Sequence, residues 1–116
     1  MRILVIEDNL DFAAFVSAVL ELEGHQVRRV MRLGAGLDLI QHEQFELVLL
    51  DLSLPDGSGL EFFEWPESRA VRVIVMTSLT DDAVRARLQA VPTTYFIKPI
   101  SARDLVGLVQ QVQLEN

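Results

Sequence analysis

Leu47-Val48-Leu49-Leu50-Asp51-Leu52-Ser53-Leu54-Pro55-Asp56-Gly57-Ser58-Gly59 is the stretch that decides how this chain folds. Its first four residues are apolar with no helical stripe, the pattern of a strand buried on both faces. The strand then delivers one carboxylate, Asp51, where it should leave its sheet. Leu54-Pro55-Asp56-Gly57 is turn chemistry, and Gly57 and Gly59 permit a positive φ or a close approach to neighbouring backbone. An acid at the carboxyl end of a central parallel strand sits where open α/β sheets bind ligands.

Upstream of it, Arg2 to Ile6 is a short β-rich run that ends in Glu7-Asp8. Asp8 or Asn9 can cap the next element, in which Phe12, Phe15, Val16, Val19 and Leu20 recur at helical spacing. Gly24 is placed to end that helix. Gln26 to Val30 reads as a less apolar strand at the sheet edge. Gly34 and Gly36 loosen the entry to a weak helix around Leu37, Leu39 and Ile40.

Downstream, Leu60 to Trp65 gives an aromatic-rich helical turn or two that Pro66 cuts short. Val71 to Met76 is a β-branched strand ending in Thr77-Ser78. Thr80 can cap a fourth helix, with Asp81 and Asp82 early and Arg85 and Arg87 late, the order the macrodipole favours. Pro92 ends it. Tyr95 to Ile97 is a fifth strand closed by Lys98-Pro99. Ser101 with Asp104 resembles a capping box, and Leu105, Leu108, Val109 and Val112 supply the inward stripe of the last helix.

Five strands alternating with five helices predict an α/β fold, a doubly wound five-stranded parallel sheet in the order 2-1-3-4-5, with a shortened third helix. That order puts its switch point between the first and third strands, so Glu7 and Asp8 lie beside Asp51. Thr77 and Lys98 end the fourth and fifth strands at the same end. Singly, each has an ordinary role as cap, turn residue or solvated lysine. Together they make three acids, a hydroxyl and an ammonium at one end of one sheet. Clustered carboxylates repel, so at neutral pH these need a cation, a proton or the lysine.

The 116 residues suit one domain, 1–116, and a composition half hydrophobic and 23% charged is that of a globular chain. Without cysteine there is neither a disulfide framework nor a thiolate metal site. No apolar run approaches the roughly 18 residues of a membrane span, and the acids at positions 7 and 8 come too early for a signal peptide. A cytoplasmic protein is expected. A formal charge of -7 argues against nucleic-acid binding by this domain and suits a cation site. His25 and His42 lack partners at metal-ligand spacing, and Phe62, Phe63 and Trp65 read as core and cover.

Glu7-Asp8, Asp51 with Leu54-Pro55-Asp56-Gly57 and Gly59, Thr77-Ser78, and Tyr95 with Lys98-Pro99 form a set. As a set they resemble a two-component response-regulator receiver domain of the chemotaxis-regulator type, with its flavodoxin-like fold, over essentially the whole chain. The resemblance implies that Asp51 accepts a phosphoryl group from a histidine kinase or a histidine phosphotransfer protein. It implies Mg²⁺ on Asp8, Asp51 and the Ser53 carbonyl, with Glu7 acting through water. Thr77 and Lys98 would each bind a phosphoryl oxygen, and Tyr95 would turn when Thr77 moves. A cis Lys98-Pro99 bond is implied as well. The helix 4–strand 5–helix 5 face would then control a partner or an attached output domain, and some members of the family form phosphorylation-dependent homodimers there. Such a domain is a switch with slow self-hydrolysis, not a turnover enzyme.

Two other readings share the fold. One is a pseudo-receiver that binds partners without phosphate, against which all five central positions are present. The other, an aspartyl-phosphate phosphatase, needs a second acid two residues after the nucleophile, where Ser53 stands. Ser53 and Leu79, each two residues beyond a site residue, should flank the phosphoryl group, with Ser78 and Pro99 adjoining. Leu79 is expected to restrict hydrolytic water, so Leu79→Ala should speed loss of phosphate from Asp51. An unchanged dephosphorylation rate, followed by mass spectrometry, refutes that role.

Overall fold

β3 (Leu47–Asp51) is the centre of the molecule, and all five of its residues are buried. The computed structural model describes residues 1–78, 86, 88, 89 and 93–115. β3 pairs with β1 (Arg2–Ile6) on one side and with β4 (Arg72–Thr77) on the other. β2 (Gln26–Val30) and β5 (Thr94–Ile97) complete a five-stranded, wholly parallel sheet in the order β2-β1-β3-β4-β5. This is the expected order, and β2 is the half-exposed edge strand.

Alternation along the strands divides the core between two faces. Ile3, Val5, Leu47, Leu49, Ile74, Met76 and Phe96 pack under α1 (Leu10–Leu22) and the last helix (Ala102–Leu114). Leu4, Ile6, Val48 and Leu50 pack under α2 (Leu33–His42) and Phe62. Each fully buried Leu or Ile contributes about 1.5–3 kcal/mol. The partly exposed Arg2–Glu43 and Arg28–Glu43 pairs, both at 2.8 Å, contribute about 1 kcal/mol apiece. The two-faced apolar core therefore dominates stability.

The helix ends follow from local chemistry. Asn9 Oδ1 accepts from the Phe12 N–H at 3.0 Å, and Ser101 Oγ accepts from the Asp104 N–H at 3.0 Å. Gly24, at φ 90°, ends α1 as expected. α2 differs from expectation, because Gly34 and Gly36 lie inside it rather than ahead of it. Arg32, at its N-cap, offers no side-chain cap. The carboxylate of Asp56 arrives instead from the loop after β3, accepting from the N–H groups of Leu33 at 2.8 Å and Gly34 at 2.9 Å.

The shortened third helix is two 3₁₀ turns, Gly59–Glu64 and Pro66–Ala70, meeting at Trp65. Pro66 opens the second turn rather than only closing the first, as its fixed φ and missing N–H allow. Phe62 is fully buried, while Trp65 is exposed cover. The expected cap at Thr80, the charges of Asp81, Asp82, Arg85 and Arg87, the stop at Pro92, and Leu79 all lie outside the described residues. Among the described residues no helix is long and apolar enough to cross a membrane.

Between β3 and the first 3₁₀ turn the chain doubles back, Ser53–Leu54 pairing antiparallel with Gly57–Ser58. This presses Gly59 onto β3, its N–H donating to the Leu52 carbonyl at 2.9 Å. A Cβ at Gly59 would overlap the Asp51 carbonyl oxygen. Gly107, on the exposed side of the last helix, has nothing within 4 Å of such a Cβ. Opposite outcomes are expected in urea denaturation. Gly59→Ala should cost about 3 kcal/mol or more, and Gly107→Ala should add about 0.5–1 kcal/mol. Equal effects would contradict the packing described.

Candidate functional site

The register brings distant residues to one level. Ile6 pairs with Leu50 and Asp51 with Met76, so Glu7 and Asp51 follow one another across β1 and β3 at the carboxyl edge of the sheet. Both continue the face covered by α1 and the last helix, where alternation places Ile3, Val5, Leu47 and Leu49. Lys98, two residues after Phe96, continues that same face from β5. Asp8, one residue beyond Glu7, is exposed at the rim.

One ammonium ties the acids together. Lys98 Nζ forms an ion pair with Glu7 Oε1 and lies 3.5 Å from Asp51 Oδ2. The lysine side chain is 16% exposed and that of Glu7 is sealed off. Asp51 Oδ1 accepts from the Ser53 N–H at 3.2 Å, and Glu7 Oε2 lies 3.5 Å from the Asn9 N–H. Burial, and then a hydrogen bond shared with Asp51, push the Glu7 carboxyl above the usual carboxylate range, with Lys98 acting against them. Among the described residues Lys98 faces two buried carboxylates, Glu7 and Asp51, which leaves one negative charge uncompensated when both are ionised. Burial makes that imbalance costly, and Asp8 adds a further carboxylate at the exposed rim.

Glu7, Asp8 and Asp51 each offer a carboxylate oxygen within 4.8 Å of the others. Mg²⁺ takes hard oxygens at about 2.0–2.1 Å, which sets ligand oxygens about 2.9 Å apart when adjacent and about 4.2 Å when opposite. The all-oxygen donor set suits that ion.

The remaining expected site residues distribute as follows. Thr77 ends β4 and is buried, and its carbonyl accepts from the Lys98 N–H at 2.7 Å. Alternation carries it toward the opposite face from Asp51. Ser78 is exposed beside it, as is Ser53 beside Asp51. Tyr95 is on β5 and 37% exposed, and the Lys98-Pro99 bond is cis. Leu79 lies outside the described residues. The histidines stand apart from the pocket, His42 against the Asp38 carbonyl and His25 against the N-terminal amine. A groove of about 690 Å³ lined by Phe63, Val71, Thr93 and Val112 is likewise separate, at the amino end of β4 and β5.

A doubly wound parallel sheet with an acidic pocket at its switch point, reached by one lysine from the end of β5, defines an α/β domain of the flavodoxin-like kind. Residues 3–110 match the sequence profile of the response regulator receiver domain, and the chain belongs to that family. It is 31% identical over 116 residues to the phosphate regulon transcriptional regulatory protein PhoB of Klebsiella pneumoniae, a match covering 96% of this chain and 51% of that one. It is 26% identical over 113 residues to sporulation initiation phosphotransferase F of Bacillus subtilis (strain 168), covering 95% and 91%. A response regulator receiver domain protein from Methanospirillum hungatei JF-1 superposes with a TM-score of 0.86 at 28% identity, covering 99% of this chain and 98% of that one. The chain thus spans about half the length of the phosphate regulon regulator.

Two contributors escape the sequence reading. Phe12 belongs to the helical stripe of α1, and its place against Lys98 leaves no mark in spacing. Asp56 reads as a turn acid, yet it holds the loop after Asp51 against α2. The signal for Asp56 is indirect: Arg32 is a poor cap, so the helix needs an outside acceptor. The two backbone N–H donors, Gly34 first and Leu33 next, hold the Asp56 carboxyl below the usual range. A depressed folded value means stability that is present above the unfolded aspartate value and lost as pH falls through the folded one. Thermal unfolding should therefore separate wild type from Asp56→Ala at neutral pH, and the gap should close on acidification. A gap independent of pH contradicts this.

Proposed function

We propose that residues 1–116 form a single receiver domain whose Asp51 carboxylate accepts a phosphoryl group. The observation that carries this reading is the Lys98 ammonium lodged between Glu7 and Asp51 at the sheet's carboxyl end. The donor would be the phosphohistidine of a sensor kinase or of a histidine phosphotransfer protein. An oxygen of Asp51 attacks phosphorus in line as the phosphorus–nitrogen bond breaks, and the electron pair returns to the imidazole. Phosphoryl transfer asks mainly for alignment and charge neutralisation. The Ser53 N–H on Asp51 Oδ1 orients the carboxylate, leaving Oδ2 toward Lys98.

Asp8, Asp51 and the Ser53 carbonyl, with Glu7 through water, are the groups proposed to hold Mg²⁺. When bound there, Mg²⁺ neutralises charge on the acids and on the incoming phosphoryl oxygens. Lys98 gives up Glu7 for a phosphoryl oxygen, and the Thr77 hydroxyl donates to another. Release follows when water attacks phosphorus and the bond to the Asp51 oxygen breaks, returning the carboxylate and inorganic phosphate.

The output is a population shift. Movement of Thr77 toward the phosphoryl group leaves room for Tyr95, now 37% exposed, to turn inward. That would reshape the face of β5 and the last helix, with the fourth helix expected from the sequence, which a partner, an output domain or a second copy would read. The Klebsiella relative is named a transcriptional regulator and is about twice as long, which supports an attached output. Signalling by occupancy, rather than turnover, is the proposed role.

Incubation with Mg²⁺ and acetyl phosphate, read by intact mass, is the test. One phosphoryl group per chain is expected, absent in Asp51→Asn and slowed about tenfold or more in Lys98→Met. Incorporation that survives Asp51→Asn contradicts the assignment. No incorporation in the wild type, with a cognate kinase as well, leaves the phosphate-independent interaction module instead.

A further inference from the structure

The Lys98 ammonium has a third neighbour besides the two carboxylates. The ring of Phe12 faces it, with the centroid 4.8 Å from Nζ. We propose that Phe12 is a positioning residue for Lys98, its ring face keeping the ammonium over Asp51 while the lysine exchanges Glu7 for a phosphoryl oxygen. The inference rests on the phosphoacceptor reading of Asp51.

The ring is held from several sides. Phe12 sits in the first turn of α1, its N–H bound to the capping Asn9 side chain. Its ring lies against Phe15, with centroids 6.1 Å apart, and against Phe96, 6.4 Å away, both in tilted arrangements. Phe96 precedes Lys98 by two residues, so on the pleated strand both side chains leave the same face. One aromatic ring therefore packs on Phe96 and Lys98 together. Position, orientation and support all come from the core rather than from the loop that carries the lysine.

The chemistry explains why a ring serves here. An ammonium has three N–H donors. Glu7 and Asp51 offer acceptors, and another carboxylate would deepen the repulsion in the pocket. An aromatic face attracts the cation through its quadrupole and adds no charge. The attraction is broad rather than directional, so the ammonium can shift over the ring as one oxygen partner replaces another. With Lys98 only 16% exposed, water screens this little. A leucine of similar bulk would pack against the lysine stem and offer the charge nothing.

Progressive fluorination of Phe12 (4-fluoro, 3,5-difluoro, 3,4,5-trifluoro) withdraws the quadrupole at nearly constant shape and separates these roles. The rate of phosphoryl incorporation from acetyl phosphate with Mg²⁺ should fall stepwise, by about three- to tenfold at the trifluoro variant. Phe12→Tyr should keep the wild-type rate, and Phe12→Leu should fall with the trifluoro protein. A second measurement uses neither metal nor phosphate. The trifluoro substitution should lower the urea midpoint when Lys98 is present and leave it unchanged beside Lys98→Met. A flat rate across the series, or an equal midpoint shift in both backgrounds, overturns the proposal. Midpoint coupling with no incorporation at Asp51 overturns the phosphoacceptor reading and leaves the Phe12–Lys98 contact standing.

Discussion

Like charges forced into contact by a parallel register are the constraint on which the structure turns. β1 and β3 are locked side by side by rows of fully buried Ile, Val and Leu, and the residue following each row is an acid. Glu7 and Asp51 cannot separate without shifting a strand, because a slip would misplace closely packed side chains in the cores on both faces of the sheet. The core therefore holds together what electrostatics pushes apart. Among the described residues Lys98, closing β5, is the cation set against Glu7 and Asp51, one ammonium to two buried carboxylates.

That imbalance sets the pocket apart from a structural ion pair. Carboxylates matched by equal numbers of cations would form an inert ion-pair network. Here the carboxylates outnumber the ammonium, which is the basis of the proposed divalent-cation site and of the proposed exchange of Lys98 between oxygen partners. Gly59 lies against the Asp51 carbonyl, and Asp56 pins the following loop to the N-terminus of α2. The Phe12 ring of α1 lies against the lysine ammonium. Each support comes from a different element, so the site is assembled by the whole fold rather than by one loop.

Much of this was legible in the residues. The unbroken apolar run of β3, the alternation of strand and helix patterns and the glycines after Asp51 point to a doubly wound sheet and its order. Once that order is known, the strand-end acids and Lys98 converge. What the residues concealed was tertiary. Gly34 and Gly36 suggest a loosened entry because the acceptor that starts α2 comes from Asp56, 23 positions from Leu33. Pro66 looks like a stop because local propensity does not register that a second 3₁₀ turn can begin on it. Phe12 looks like core because helical periodicity reports which face is apolar, not which cation lies over it. Tyr95 and Thr77 are found on the expected strands.

The most direct measurement of the central claim is a Mg²⁺ titration of the unphosphorylated protein, followed by backbone amide resonances. The account predicts one saturable site whose largest shifts fall on Asp8, Asp51 and Ser53, with Lys98 responding alongside them. Shifts scattered over the acidic surface without saturation, or none at these residues, would show that the gathered carboxylates do not act as one site.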